Sequence, residues 1–295
     1  MVPVEIRTKR FVHTLFRSRI KRQVPQSWSE LSSKQLLAII QLLHTPLPLV
    51  VIKYRIVSVL IRLSTKKMYR WFTHVQAAQL FSLTDFILKD NQNVLTKQLL
   101  PVVKVPFFSL DLEPFKIRFG KRVKLFGPSD GLKNIIYDEL IFADSLFQQY
   151  FQTKKIEDLN KFVSVLYRPG RTDGKETGDL REGFNRHTIE KRSEIVARLP
   201  IAHKLAIFFF YQGCRKTFIA RYPDLFEGGE SEAKPVNTWL EMARHIPNDK
   251  FGTIEHIMTL NASFVLMHLN GTIKDAKENE KKLLISFNCH KNIFL

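Results

Sequence analysis

Cysteine is scarce in this chain: 295 residues contain only Cys214 and Cys289. One disulfide at most is available, and the small secreted scaffolds that depend on several are excluded. The expectation is two reduced thiols. A zinc site is likewise short of ligands, because the nine histidines do not gather around the cysteines at metal spacing, and the adjacent pair Cys289-His290 is not ligand spacing. A long uninterrupted apolar run is also missing. The most apolar stretch, Leu47–Leu63, is broken by Pro48, Lys53, Arg55 and Arg62, whereas a bilayer span needs about 20 mostly uncharged residues. The opening MVPVEIRTKRFVHTLFRSRIKRQVP has no apolar core of roughly 7–15 residues of the kind that directs secretion. These absences lead to the expectation of a cytoplasmic protein.

Acidic residues are nearly absent from the first part of the chain. Residues 1–84 hold 14 Lys/Arg against Glu5 and Glu30 alone, a net +12 out of a total of +18. Overall composition is otherwise ordinary, with 44% hydrophobic and 25% charged residues and 24 Phe. That is enough apolar mass for a substantial core, and it argues against global disorder. The densest cationic group is Arg7, Lys9, Arg10, Arg17, Arg19, Lys21 and Arg22. On a helix, Val12, Leu15, Phe16 and Ile20 fall on one stripe between these bases. Three uses of this arm compete: neutralising nucleic-acid phosphates without sequence preference, docking on an anionic membrane, or standing in water or against an acidic partner. No helix-turn-helix, zinc-finger or RNA-recognition signature accompanies it.

The pattern along the chain predicts a mainly α protein, a bundle-like multi-helix domain with a small β-hairpin insertion around 101–127. Three regions are expected: a basic arm over 1–24, a main helical domain over 25–226, and a helical segment over 227–295. Pro25 ends the arm. Ser32 and Gln35 have capping-box spacing ahead of Leu36, Leu37, Ile40 and Leu43. Residues 49–63 and 75–89 read as further helices. Near 115–126, FKIRF-GK-RVKLF alternates about a two-residue turn with Gly120 first, a hairpin with Lys116, Arg118, Arg122 and Lys124 facing outward. GPSD opens a helix capped by Ser129 or Asp130 and carrying Leu132, Ile135, Ile136, Leu140, Ala143, Leu146, Phe147 and Tyr150. A shorter helix carries Ile156, Leu159, Val163 and Leu166. The segment 168–186, RPGRTDGKETGDLREGFNR, is rich in glycine and charge and reads as an exposed, mobile loop. A long helix from about 188 to 222, interrupted near Pro200, includes the nearly all-apolar LAIFFFYQGC and should be the central core element. EGGESEAKPV over 227–236 reads as a linker. Thr238 and Glu241 repeat the capping spacing, Thr253 starts the last main helix, and KDAKENEKK leads to a frayed end.

No chemical motif emerges. GRTDGKE lacks the first glycine and the hydroxyl of a phosphate-binding loop, and follows a helix instead of a strand. Cys214 and His203 are eleven residues apart on one helix, about 16 Å and too far to pair. Asp138, Glu139 and Asp144 have no complementary second set of ligands, and His256 with His268 is no metal spacing. The expectation is a protein that is not an enzyme and that has no cofactor and no metal.

The phrases PQSWSELSSKQLLAIIQLL, LFGPSDGLKNIIYDELIFAD, LNKFVSVLYRPG and FFYQGCRKTFIARYPDLF, in that order over roughly 25–226, resemble an uncharacterised protein family of tailed phages and prophages of gut-type bacteria. The later VNTWLEMARHIPNDKFGTIEHIMTLNASFVLMHLNGTIKDAKEN resembles the end of small tail-assembly proteins that accompany the tape measure. The resemblance brings no catalytic residues. It implies a virion-morphogenesis factor, either a tail assembly chaperone or a minor tail structural protein, whose partners are other tail or virion proteins and whose place is the host cytoplasm or the virion. The arm has no counterpart in it. Sequence-independent nucleic-acid binding through the arm is therefore the alternative, and membrane attachment ranks behind both.

Overall fold

The protein is mainly α-helical, and its described residues also form two small antiparallel sheets. The computed structural model describes residues 1–7, 19–89, 94–106, 122–172, 178–226, 239, 242, 244, 246 and 251–291. Two compact units emerge: unit 1 comprises Met1–Leu100 with Pro200–Gly213, and unit 2 comprises Pro101–Leu199 with Cys214–Leu295.

Unit 1 begins with β1 (Val2–Arg7) antiparallel to β2 (Arg19–Val24), in a register that sets Val2 opposite Val24, Ile6 opposite Ile20 and Arg7 opposite Arg19. The expected helical stripe is thus corrected at Ile20, which lies in a strand. β-Branched residues at alternate positions (Val2, Val4, Ile6, and Ile20 with Val24) suit a pleated pair better than a helix turn. Val12, Leu15 and Phe16 of that stripe lie outside the described residues. The strand stops at Val24, one residue before Pro25.

The Ser32–Gln35 capping box forms as its spacing predicts. Ser32 Oγ accepts from Gln35 N at 3.3 Å, and Gln35 Oε1 accepts from Ser32 N at 3.1 Å. It opens α1 (Ser33–Leu43), which buries Leu36, Ile39 and Ile40. Gln35 reaches further: its amide donates to the carbonyls of Val59 and Leu60, which sit at the end of α2 (Leu49–Leu60). One side chain therefore starts one helix and donates to two carbonyls at the end of the next, where helical partners run out. The region expected as a helix over 75–89 is instead a chain of short pieces. After α3 (Thr65–Trp71), these are α4 (His74–Gln79) with a capping box from Thr73 and Gln76, a 3-10 turn, and α5 (Asp85–Leu88). Trp28 is buried between Phe86 and Phe209, with ring centroids 6.1 and 4.5 Å away.

Unit 2 is built on α6 (Tyr137–Thr153) and α7 (Ile156–Leu166), followed by α8 (Ile189–Ala197). GPSD does not open α6 directly. Gly131 (φ 62°) and Leu132 (φ 58°) are left-handed, so the chain makes a 3-10 turn and the helix begins at Tyr137. β3 (Val102–Pro106), β4 (Arg122–Phe126) and the two-residue β5 (Arg168–Pro169) form a sheet with β4 in the middle. The antiparallel pair expected within 101–127 joins Arg122–Phe126 to Val102–Pro106. The run 115–121, which held the expected partner strand and turn, lies outside the described residues, as do Lys116 and Arg118. The proposed linker and the Thr238–Glu241 cap also fall there.

Pro200 separates α8 from α9 (Ile201–Arg221), as its sequence position suggests. Residues 201–213 of α9 belong to unit 1, where Leu205, Ala206, Ile207, Phe210 and Tyr211 are buried. In unit 2, Thr253 caps α10 (Ile254–Thr259), and α11 runs unbroken from Ala262 to Lys291. The stretch KDAKENEKK is helical, and the chain end after Lys291, where fraying is expected, lies outside the described residues.

Candidate functional site

The densest polar constellation is internal to unit 2 and centres on Glu139, which α6 places at 1% exposure. Its carboxylate meets two guanidiniums, Arg181 at 2.5 Å and Arg168 at 3.1 Å. Arg181 also binds Asp179 at 2.7 Å, and Arg192 binds Glu182 at 2.9 Å. The reason these cations sit inside lies at the end of α7. Helix termini leave carbonyls without helical partners, and here Ser164 O accepts from Arg192 (2.8 Å), Val165 O from Arg168 (3.1 Å) and Leu166 O from Arg181 (2.9 Å). Positive charge also complements the negative end of the helix dipole. Burial pushes the Glu139 carboxyl up, against the pull of Arg181 and Arg168. For Asp179, burial is outweighed by the Arg181 bonds and the Arg168 charge, leaving its carboxyl below the usual range.

This cluster corrects the exposed loop expected over 168–186 at Arg168 and Arg181, whereas Arg171, Thr172, Leu180, Asn185 and Arg186 are exposed as expected. Arg168 and Arg181 are 2% and 1% exposed, and the loop's two ends pair through Arg171 N to Leu180 O and Glu182 N to Pro169 O. Residues 173–177 lie outside the described residues. All cluster members are engaged with one another or with α7 carbonyls, so the cluster is a structural clamp.

Cys214 is buried, and burial pushes its thiol up to about 12, far from the range of a nucleophilic thiolate. His203 lies eleven residues earlier on the same helix. Among the described residues, no group of three His, Cys, Asp or Glu is placed to hold a metal ion. Likewise among them, no helix is long and apolar enough to cross a membrane.

Of the seven cations singled out in the arm, Arg7 lies on β1 and Arg19, Lys21 and Arg22 lie on β2. Arg7 and Arg19 are register partners, Glu5 faces Lys21, and Val4 faces Arg22. Lys21 and Arg22 are exposed; Lys9, Arg10 and Arg17 lie outside the described residues. The structure adds a feature that the arm had overshadowed. From Leu31 to Thr84 there is no carboxylate, yet the segment holds Lys34, Lys53, Arg55, Arg62, Lys66, Lys67 and Arg70, and all of these except half-buried Lys53 are exposed. Unit 1 as a whole carries 17 Lys/Arg and four Asp/Glu, a net +13, leaving +5 for the larger unit 2. The signal that could have located this surface was the acid-free run itself, not the density of bases.

Two details shape that surface. A groove of about 380 Å³ is lined by Gln41, Leu42, Thr45, Arg55, Ser58 and Thr65 among others. On α3, Tyr69 is 54% exposed while its ring stacks on Tyr54, centroids 4.5 Å apart and planes 21° off parallel. The Lys67 ammonium lies 5.8 Å from the Trp71 ring. In unit 2 a smaller cationic face is formed by β3 and β4, where Lys104 and Lys124 are register partners and both are exposed, with Arg122 beside them. Comparison with family models, with curated proteins and with solved structures finds no match for the chain.

Proposed function

We propose that the protein is a non-enzymatic binding factor of phage particle assembly, a tail assembly chaperone or minor tail or virion protein that works by holding another phage protein. The resemblance of its sequence phrases to the tailed-phage family supplies the setting, with the host cytoplasm or the virion as its place. The observation that carries the binding role is α11. Its thirty residues extend about 45 Å, yet among its described side chains, which run to Lys282, the buried ones are Ala262, Val265, Leu266 and Leu269, all in the first turns. From Lys274 to Lys282 it stands largely in water, tied by Lys277 to Asp224 at 3.2 Å, and the sequence continues with Leu283, Leu284 and Phe287 at helical spacing. A helix of this kind suits insertion into an apolar groove of a partner. Co-expression with tape-measure and tail-tube proteins tests it: one of them should co-purify with the full chain and be lost when residues 283–291 are replaced by alternating Ala and Lys. Failure of every tail component to co-purify overturns the reading.

A second reading, sequence-independent binding of nucleic acid, is favoured by the net +13 of unit 1. A field of that sign attracts phosphate backbones and releases their counterions. Binding to DNA should weaken steeply with salt, and a response flat in salt removes this reading.

A further inference from the structure

We infer that the exposed side of α3 is a stacking platform for an unpaired base, so that the ligand class of unit 1 is a single nucleic-acid strand; the inference rests on the second reading above. Single-strand binders combine a cationic track for the backbone with an aromatic plate that any base can cover. Both parts are present here on one seven-residue helix. Tyr69 is the plate: Tyr54 backs one side of its ring, which fixes the ring's orientation, and more than half of the side chain is still in water. A backed ring loses little further freedom when a base stacks on it, which lowers the entropic cost of binding. The track is Lys66 and Lys67 on the same helix, with Arg62 just before it, all three exposed. Arg62 holds a left-handed backbone (φ 56°) that turns the chain between α2 and α3.

The surroundings select among polyanions. No carboxylate occurs from Leu31 to Thr84, so nothing in that segment competes with phosphate for the cations. A duplex keeps its base faces stacked and offers Tyr69 nothing to cover. An anionic membrane would need an apolar stripe beside the cations, but Met68, the aliphatic residue of α3, is fully buried. An acidic peptide could neutralise Lys66 and Lys67 while leaving the ring unused.

The test is fluorescence anisotropy of the full chain with labelled oligothymidine, a matched duplex and phosphatidylserine vesicles as separate arms, with circular dichroism confirming that each variant folds. Oligothymidine should bind best, with a slope of log affinity on log salt near −0.7 per phosphate contact. Tyr69→Ala should weaken it about tenfold with the slope unchanged, and Tyr69→Phe should keep wild-type affinity. Lys66→Glu with Lys67→Glu should both weaken binding and flatten the slope. Preference for duplex or for vesicles overturns the inference. Salt-dependent binding that ignores Tyr69→Ala overturns the platform while leaving the second reading standing; absence of binding to any nucleic acid overturns both.

Discussion

Arg181 satisfies three needs of unit 2 at once. It neutralises Glu139, holds Asp179 and donates to the Leu166 carbonyl. A buried ion pair against apolar packing is often near neutral, but removing one partner strands the other in a medium that cannot solvate it. Arg181→Ala should therefore cost about 3–5 kcal/mol, measured as a fall in urea midpoint at unchanged slope. Arg181→Lys should recover little, since an ammonium cannot reach Glu139, Asp179 and a carbonyl with one planar fork. Asp179 gives the same cluster a pH dependence. Its carboxyl is held below the ordinary value by Arg181 and Arg168 despite burial. Such a group contributes stability that is fully present above its unfolded-state value of about 3.9 and is lost as pH falls through the folded-state value. Glu139, pushed up by burial, works in the opposite direction, so the comparison must isolate Asp179. Asp179→Asn should be less stable than wild type at neutral pH and should lose less on acidification, read from urea midpoints at both ends of that range.

At the scale of elements, legibility follows how local the deciding interaction is. The Ser32–Gln35 box, the Thr253 cap and the Pro200 break are settled within four residues, and each was readable from the sequence. The start of α6 was not, because Gly131 and Leu132 turn left-handed just after a plausible cap, at the first residue of the apolar stripe. The strand at Arg19–Val24 was hidden by a helical arrangement that its bases also fit; its pairing with Val2–Arg7 is a longer-range fact. The clamp was invisible for a similar reason. Arg168, Asp179 and Arg181 look like solvent-seeking loop residues until the unpaired carbonyls at the end of α7 are known to need donors. Gly213 belongs to this group. Glycine inside a helix normally costs about 0.5–1 kcal/mol relative to alanine, so Gly213→Ala on α9 would ordinarily stabilise. Here an added Cβ would lie 2.3 Å from the Leu95 carbonyl oxygen, a backbone atom that cannot swing aside. The sign should reverse: Gly213→Ala lowers the thermal midpoint, while Gly271→Ala on α11, which meets nothing within 4 Å, leaves it unchanged or raises it.

Across the whole molecule, the uneven charge has a consequence for stability that does not depend on any ligand. Within Leu31–Thr84 every charge is positive, so the Coulomb terms inside that segment are repulsive. The Debye length is about 30 Å at 0.01 M salt and about 8 Å at 0.15 M, so moderate salt should remove most of this repulsion. The clamp of unit 2 is buried and is screened much less. Raising sodium chloride from 0.01 M to 0.15 M should therefore raise the thermal midpoint, whereas a neutral solute of equal osmolarity should not reproduce the shift. A charge-reversed variant, Arg62→Glu with Lys66→Glu, should be more stable than wild type in low salt and should show a smaller salt effect, because it removes repulsion and adds attraction in the same place. A polyanion that binds unit 1 would stabilise by a different law, growing with the logarithm of its concentration and vanishing as salt rises. The two effects have opposite salt dependence. A midpoint that rises with salt when the chain is alone and falls with salt when oligothymidine is present would separate self-repulsion from ligand binding on one set of melting curves.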